Sequence, residues 1–510
     1  MAVVEHVEGV NDGRRVLRLA NPATLDSLGD VEVCSPEEVR AAVERARKAQ
    51  PAWAELSFDE RGRYLERAVR VLIERQDEFV AAIVAETGKP AIEALGAEVL
   101  ALCDALQFYA KRARRILADR TIPVHLMKTK RLRVSYRPLG VVGIITPWNF
   151  PFLLALNPTA QALVAGNSVV LKPSEVTPFS GRLVEDLLAS VGLPEGVFQL
   201  VLGDAETGAA LVDAGVDKVS FTGSVATGRR IAEACGRALI PCTLELGGKD
   251  PMIVCEDADL DRAARGAVFG AFANSGQVCT STERVYVVDP VADAFTRKVV
   301  EETAALRQGC SGEFDVGSII RPEQLDIIED HVRDAIEKGA RVLAGGRRNP
   351  DLRGYFYEPT ILADVTHDMR VMRDETFGPI LPIMRVRDES EALELANDSR
   401  YGLNASVWTK NRRRGTQIAK AIESGCVVVN DCMLTYGVPE SPFGGVKDSG
   451  IGRVNGEMGL RSYCNTQSIL IDRMGGKSEP LWYPYSARKT KTMKRALRFI
   501  WGTPLGRLLS

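Results

Sequence analysis

Nowhere in the 510 residues do two cysteines form a C-x-x-C pair, and the ten cysteines, from Cys34 to Cys464, follow no regular spacing. That absence argues against a zinc site and a disulfide framework, and favours reduced thiols in a cytosolic setting. No run approaches the roughly 18 apolar residues needed to span a bilayer. The opening MAVVEHVEGVNDGRR lacks the apolar core of a signal peptide. Charge of one sign is missing too: the net charge of -2 gives no global reason to expect nucleic acid or an acidic partner. Internal repeats and low-complexity linkers are likewise absent. What is present is a globular composition, 45% apolar and 26% charged. The length exceeds one ordinary core, so two or three domains are expected. These features together predict a soluble, cytoplasmic, multidomain protein.

Residues 36–117 read as helical: Pro36-Glu37-Glu38 opens a helix, and Leu65, Ala68, Val69, Leu72 and Ile73 recur at helical spacing. Residues 123–138 alternate around a basic patch and predict an extended hairpin. From Leu139 short apolar strands alternate with helices: 141–145, 168–171, 198–201 and 218–221, with helices near 152–165, 178–191, 205–214 and 226–236. That order implies a parallel sheet covered on both faces, with ligands at the carboxyl ends of its strands. A second α/β region runs from Pro251 to about Asn430, with Cys279 in the turn before the strand Arg284–Val288.

The chemistry-bearing segments cluster at those strand ends. Thr146-Pro147-Trp148-Asn149-Phe150-Pro151 follows the first strand; its prolines fix the backbone and the Asn149 amide is a hydrogen-bond donor. Lys172 and Glu175 follow the second and suit ribose hydroxyls, although in isolation a lysine and a glutamate there read more readily as a surface ion pair. Thr222-Gly223-Ser224 through Gly228 opens a helix whose amides and dipole suit a diphosphate. It is neither the three-glycine dinucleotide fingerprint nor a nucleotide-triphosphate loop. Glu245-Leu246-Gly247-Gly248 and Gly276-Gln277-Val278-Cys279 offer a general base and a thiol nucleophile. An isolated cysteine is more often apolar filler.

Taken in order, these segments resemble the aldehyde dehydrogenase superfamily, as do Glu375-Thr376-Phe377-Gly378-Pro379 and Pro442-Phe443-Gly444-Gly445 through Gly450. The resemblance runs from about Asn21 to Ile471. It implies an α/β fold with a Rossmann-type cofactor domain (1–122 and 139–247), an α/β catalytic domain (248–440) and a β oligomerisation element (123–138 with 462–473), the last making a dimer or tetramer. It implies Cys279 as nucleophile, Asn149 with the Cys279 amide as oxyanion donors, and Glu245 as the base that hydrolyses a thioester, so that the product is the free acid. Ile145, Thr146 and Trp148 are implied to line the cofactor cleft, and Lys172 and Glu175 to hold the adenosine ribose. Gly223, Ser224 and Gly228 are implied near the diphosphate, and Glu375 and Phe377 near the nicotinamide ribose. Glu175 favours NAD over NADP, which remains an alternative. No metal is required.

Two positions depart from a pattern common in tetrameric members. Pro158 stands where a lysine often lies, and Val454 follows Arg453 where a glutamate often does. Both absences leave the proton route from Glu245 open and resemble the branch acting on long-chain or aromatic aldehydes. The resemblance lines the substrate tunnel with Phe150, Leu153, Leu154, Asn157, Val278, Thr280 and Phe443. These are mostly apolar, with no arginine to grip a carboxylate. The expected substrate is a medium- or long-chain apolar aldehyde; a semialdehyde dehydrogenase is the alternative within enzymes. A catalytically silent binding protein is the alternative outside them. Residues 480–510 form a basic tail, with Arg488, Lys489, Lys491, Lys494, Arg495, Arg498 and Arg507 and no acid after Glu479. Met493, Ala496, Leu497, Ile500 and Trp501 share a helical face, so 487–510 reads either as a peripheral membrane contact or as a helix docked on a partner subunit or on the tunnel mouth.

Overall fold

The computed structural model describes residues 8–11 and 14–504. Arg507, at the end of the basic tail, lies outside the described residues.

Local sequence explains where the N-terminal helices begin. Ser35 and Ser57 each head a capping box: the Ser35 hydroxyl accepts from the Glu38 amide at 3.2 Å, while the Glu38 carboxylate accepts from the Ser35 amide at 2.8 Å. Ser57 and Glu60 repeat the exchange. Such reciprocal caps satisfy amides that a helix start leaves open. The helices Pro36–Glu55 and Phe58–Glu74 follow, then Gln76–Thr87, which Gly88 ends in the left-handed region at φ 67°. The sequence pattern did not separate out a π-helical segment, Ala94–Leu100, that precedes the helix Ala101–Leu117.

Five parallel strands make the first large sheet, in the order Cys242–Glu245, Lys218–Thr222, Val141–Ile145, Ser168–Lys172, Phe198–Leu200, with Gly450–Ile451 added antiparallel at the first edge. Chain order reverses between Val141–Ile145 and Lys218–Thr222. That reversal opens a crevice at the carboxyl ends of the strands, where open α/β sheets take ligands. The second sheet has seven strands centred on Asp250–Val254 and Thr282–Val288; only its edge strand Arg341–Ala344 runs antiparallel. Both central strands are buried along their whole length, as strands covered on two faces must be.

By internal packing the chain divides into two units, one comprising the chain up to Ile116 with Pro138–Tyr463, the other Leu117–Arg137 with the chain from Cys464. Both large sheets belong to the first, so the expected boundary at 247/248 falls inside one compact body. In the second, Arg120–Ile122, Lys130–Pro138 and Cys464–Asp472 form a three-stranded sheet. The hairpin expected over 123–138 is therefore shifted. Its first arm precedes Pro123, which has no N–H for the ladder, and 123–129 form the connection, closed by Lys128 N–H to Leu126 O and Lys130 N–H to Met127 O.

Candidate active site

Cys279 sits on a tightly turned loop between the helix Leu260–Phe272 and the strand Thr282–Val288. Three consecutive residues, Asn274, Ser275 and Gly276, have positive φ (49°, 56° and 73°). Gly276 is required twice over: a Cβ there would also lie 2.1 Å from the Gly378 carbonyl oxygen. Two side-chain amides pin the loop. Asn149 Nδ2 donates to the Gln277 carbonyl at 3.0 Å, and Asn274 Nδ2 donates to the same oxygen at 3.1 Å and to the Asn149 carbonyl at 2.9 Å. Asn149, from the first sheet, is thus held two residues from the thiol that precedes a strand of the second.

Glu245 ends the strand Cys242–Glu245 and is buried, with neither carboxylate oxygen hydrogen-bonded in the structure. Gly444, at φ 155°, keeps the space beside it open, since a Cβ would stand 2.9 Å from Oε1. Burial pushes the Glu245 carboxyl well above the usual carboxylate range, and the more distant Arg453 offsets only part of this. Burial likewise raises the Cys279 thiol, helped by the negative fields of Asp250, Glu245 and Glu375. Asp250 is itself buried and raised, chiefly by desolvation. The thiolate is therefore disfavoured relative to that of an ordinary cysteine.

At the carboxyl edge of the first sheet, the buried Thr146 hydroxyl has no hydrogen-bond partner and Lys172 Nζ meets Glu175 Oε2 at 3.1 Å. Burial raises the Glu175 carboxyl, but Lys172, a backbone amide and Arg321 together bring it below its ordinary value. Ser224 caps the helix Val225–Ala238, its hydroxyl accepting from Thr227 N–H. Glu375 Oε1 accepts from the Gly248 amide at 2.9 Å, and burial lifts this carboxyl to about 8. Trp148 and Phe377 meet edge to face at 5.3 Å between centroids. An orphaned hydroxyl, an acidic residue paired at the second strand end and a capped helix N-terminus form a cradle with the chemistry of a dinucleotide site.

A profile of the aldehyde dehydrogenase family matches residues 10–469. The chain belongs to the aldehyde dehydrogenase family. It is 42% identical over 478 residues to a 4,4'-diapolycopene aldehyde oxidase of Methylomonas sp., covering 93% of this chain and 89% of that protein. It is 39% identical over 464 residues to a glutarate-semialdehyde dehydrogenase of Pseudomonas putida, covering 90% and 95%. Among solved structures, an E. coli enzyme described as NADP dependent superposes with a TM-score of 0.86 at 37% identity, over 91% of this chain and 95% of that one.

Within this aldehyde dehydrogenase several expected site residues have other employment. Gly228 is a packing glycine: a Cβ would strike Leu246 at 2.5 Å, and its N–H is used within the helix by Ser224 O. Asn157 is 2% exposed and both its amide hydrogens are used, one on Tyr436 Oη and one on Asn455 Oδ1, each at 3.0 Å. Its amide is thus tied into a polar network with Tyr436 and Asn455. Ile145, Leu153, Leu154, Val278, Thr280 and Phe443 are buried, while Phe150 and Gly223 are half-buried. Phe443 forms an apolar cluster with Leu403, Cys426 and Val454, on which the Cys279 side chain packs.

The supporting charges were missed by sequence reasoning. Lys89 and Glu98, both fully buried, pair at 2.7 Å; Lys89 Nζ also donates to the Asn149 carbonyl at 2.8 Å. Glu98 Oε2 accepts from the amides of Phe152 and Leu153, standing in for the cap that the helix Pro151–Val164 lacks. On the other side, Glu283 accepts from Lys249 Nζ and from the amides of Thr376 and Phe377, fixing the turn that carries Glu375. In sequence, these four residues look like ordinary surface charges, and only the tertiary packing buries them.

Proposed function

We propose that the chain oxidises medium- or long-chain apolar aldehydes to the free acids, using NAD in preference to NADP. The observation that carries the substrate class is the apolar cluster of Leu403, Cys426, Phe443 and Val454 against Cys279. A semialdehyde would need a cation for its distal carboxylate, and the buried ammonium beside Phe150, that of Lys89, is already paired with Glu98. The name of the Methylomonas relative, an oxidase of a long polyene aldehyde, supports the apolar reading. That of the Pseudomonas relative supports the semialdehyde alternative.

In this reading the Cys279 proton passes to water and the thiolate sulfur attacks the aldehyde carbon, giving a tetrahedral thiohemiacetal. The second Asn149 amide hydrogen and the Cys279 backbone amide receive the oxyanion. A bound nicotinamide would supply the hydride acceptor, so that the adduct on Cys279 would become a thioester. Glu245 then takes a proton from water, which adds to the thioester carbonyl and expels the thiolate. Lys89 and Glu98 act through Asn149, holding its backbone while the side chain faces the reacting oxygen. Glu175 carries the preference for NAD, because its carboxylate would repel a 2′-phosphate. The three-stranded sheet of Arg120–Ile122, Lys130–Pro138 and Cys464–Asp472 is the element we assign to homo-oligomer formation.

Initial rates over an aldehyde series from propanal to dodecanal, beside succinic and glutaric semialdehydes, test the substrate class. Each should be run with NAD and with NADP. The expected result is a kcat/KM that rises with chain length and is higher with NAD. A semialdehyde exceeding decanal by a wide margin would overturn the apolar assignment. Separately, Asn149→Ala is expected to lower kcat about 10²–10³-fold, the usual effect of losing an oxyanion donor, with NAD affinity retained. An unchanged kcat would remove Asn149 from that role.

A further inference from the structure

The segment from Leu481 to Trp501 is the most exposed apolar surface not used in the proposed chemistry. Leu481, Trp482, Tyr483 and Tyr485 are each more than half exposed. They lead directly into the helix Ala487–Gly502, none of whose residues is buried. Two hydrogen bonds make the two parts one body: Ser486 Oγ accepts from Lys489 N–H at 3.2 Å, and Lys489 Nζ donates to the Trp482 carbonyl at 2.6 Å. Ahead of it, Lys130 Nζ ties Glu479 (2.5 Å) and Asp472 (3.1 Å) together, anchoring the segment to its three-stranded sheet.

The helix separates most of its apolar and basic residues, Lys489 being the exception at about 20° from Ile500. At 100° per residue, Met493, Leu497 and Ile500 fall within about 60° of arc. On the opposite side Arg488, Lys491, Lys494, Arg495 and Arg498 occupy roughly 120°. No acidic residue follows Glu479 in the sequence. Among the described residues no helix is long and apolar enough to cross a membrane. At 16 residues this one would measure about 24 Å, short of the hydrocarbon thickness. An apolar stripe opposite a largely basic face, headed by exposed tryptophan and tyrosine, matches the chemistry of a bilayer interface with anionic headgroups.

We propose that the Leu481–Trp501 segment docks the protein on an anionic lipid surface. This goes beyond the substrate reading and does not depend on it, because docking is measured without aldehyde. The test is sedimentation of the full-length protein with phosphatidylcholine vesicles, with and without phosphatidylglycerol. Binding is expected to the anionic vesicles and to weaken as salt is raised. Each basic residue near such a surface contributes about fivefold, so Lys494→Glu with Arg498→Glu should weaken binding by about 25-fold or more. Met493→Ser with Leu497→Ser should weaken it about tenfold through lost apolar burial. Turnover of a short, water-soluble aldehyde by both variants should match the parent, which shows that they fold. Parent protein left in the supernatant, equal binding to neutral vesicles, or variants that bind as well as the parent would each overturn the proposal. So would a fall in molar mass on Met493→Ser with Leu497→Ser while vesicle binding is unchanged, since the face would then belong to a second copy.

Discussion

Cys279→Ala is expected to abolish NADH formation, lowering kcat by at least about 10⁴-fold, because nothing else at the site forms the covalent adduct. NAD binding, followed by calorimetry, should be unchanged, since the cradle at the strand ends of the first sheet does not use the thiol. Stability should change little: Cys279 is only half-buried, and alanine fits the same loop. Retained turnover would refute the assignment. Chemical labelling is a poorer test. Cys242 is lowered by the hydrogen bond from Cys235 and by the charge of Lys218, so an alkylating reagent has a second reactive thiol there. The Cys279 thiol, raised by burial and by Asp250, Glu245 and Glu375, is the slower to react at rest.

Glu245→Gln separates the two halves of the reaction. Acylation should still occur, so rapid mixing with NAD and aldehyde is expected to give a burst approaching one NADH per active site. Steady-state turnover should fall about 10²–10⁴-fold, the usual contribution of a general base. A loss of the burst along with the steady state would place Glu245 before hydride transfer instead. In the parent enzyme both groups react in their basic forms, and burial raises both out of their ordinary ranges. Each basic form therefore grows as pH rises, and kcat/KM should climb from mildly acidic to alkaline pH. A profile flat across that interval would contradict the buried environment described for Cys279.

The five parallel strands were legible because buried strands are written as short apolar runs, and Val141–Ile145 and Ser168–Lys172 match their expected limits to within a residue. The motif residues were legible because glycine and proline mark turns at those strand ends. What could not be read was which charges become interior. Lys89 and Glu98 lie nine residues apart, and neither their spacing nor their neighbours indicates that the π-helical segment Ala94–Leu100 turns Glu98 inward. The packing role of Gly228 was hidden for a related reason. A glycine in a helix near a ligand site serves either the ligand or the packing, and only the position of Leu246 decides between them. The hairpin limits shifted because alternation continued through Pro123 while hydrogen bonding did not.

The contact between Gly276 and Gly378 has a mechanical consequence. The loop that bears the nucleophile and the turn that bears Glu375 and Phe377 touch through bare backbone, leaving no side chain between them to yield. Glu283 and Lys249 brace the second of these from the strands of the same sheet. The two loops therefore share one degree of freedom: a displacement that opens the thiol towards a bulky aldehyde also moves the residues facing the cofactor. An insertion in either loop is penalised by the other, so changes of substrate size are more readily accommodated at Phe443 and its apolar neighbours than at the loop of Cys279 itself.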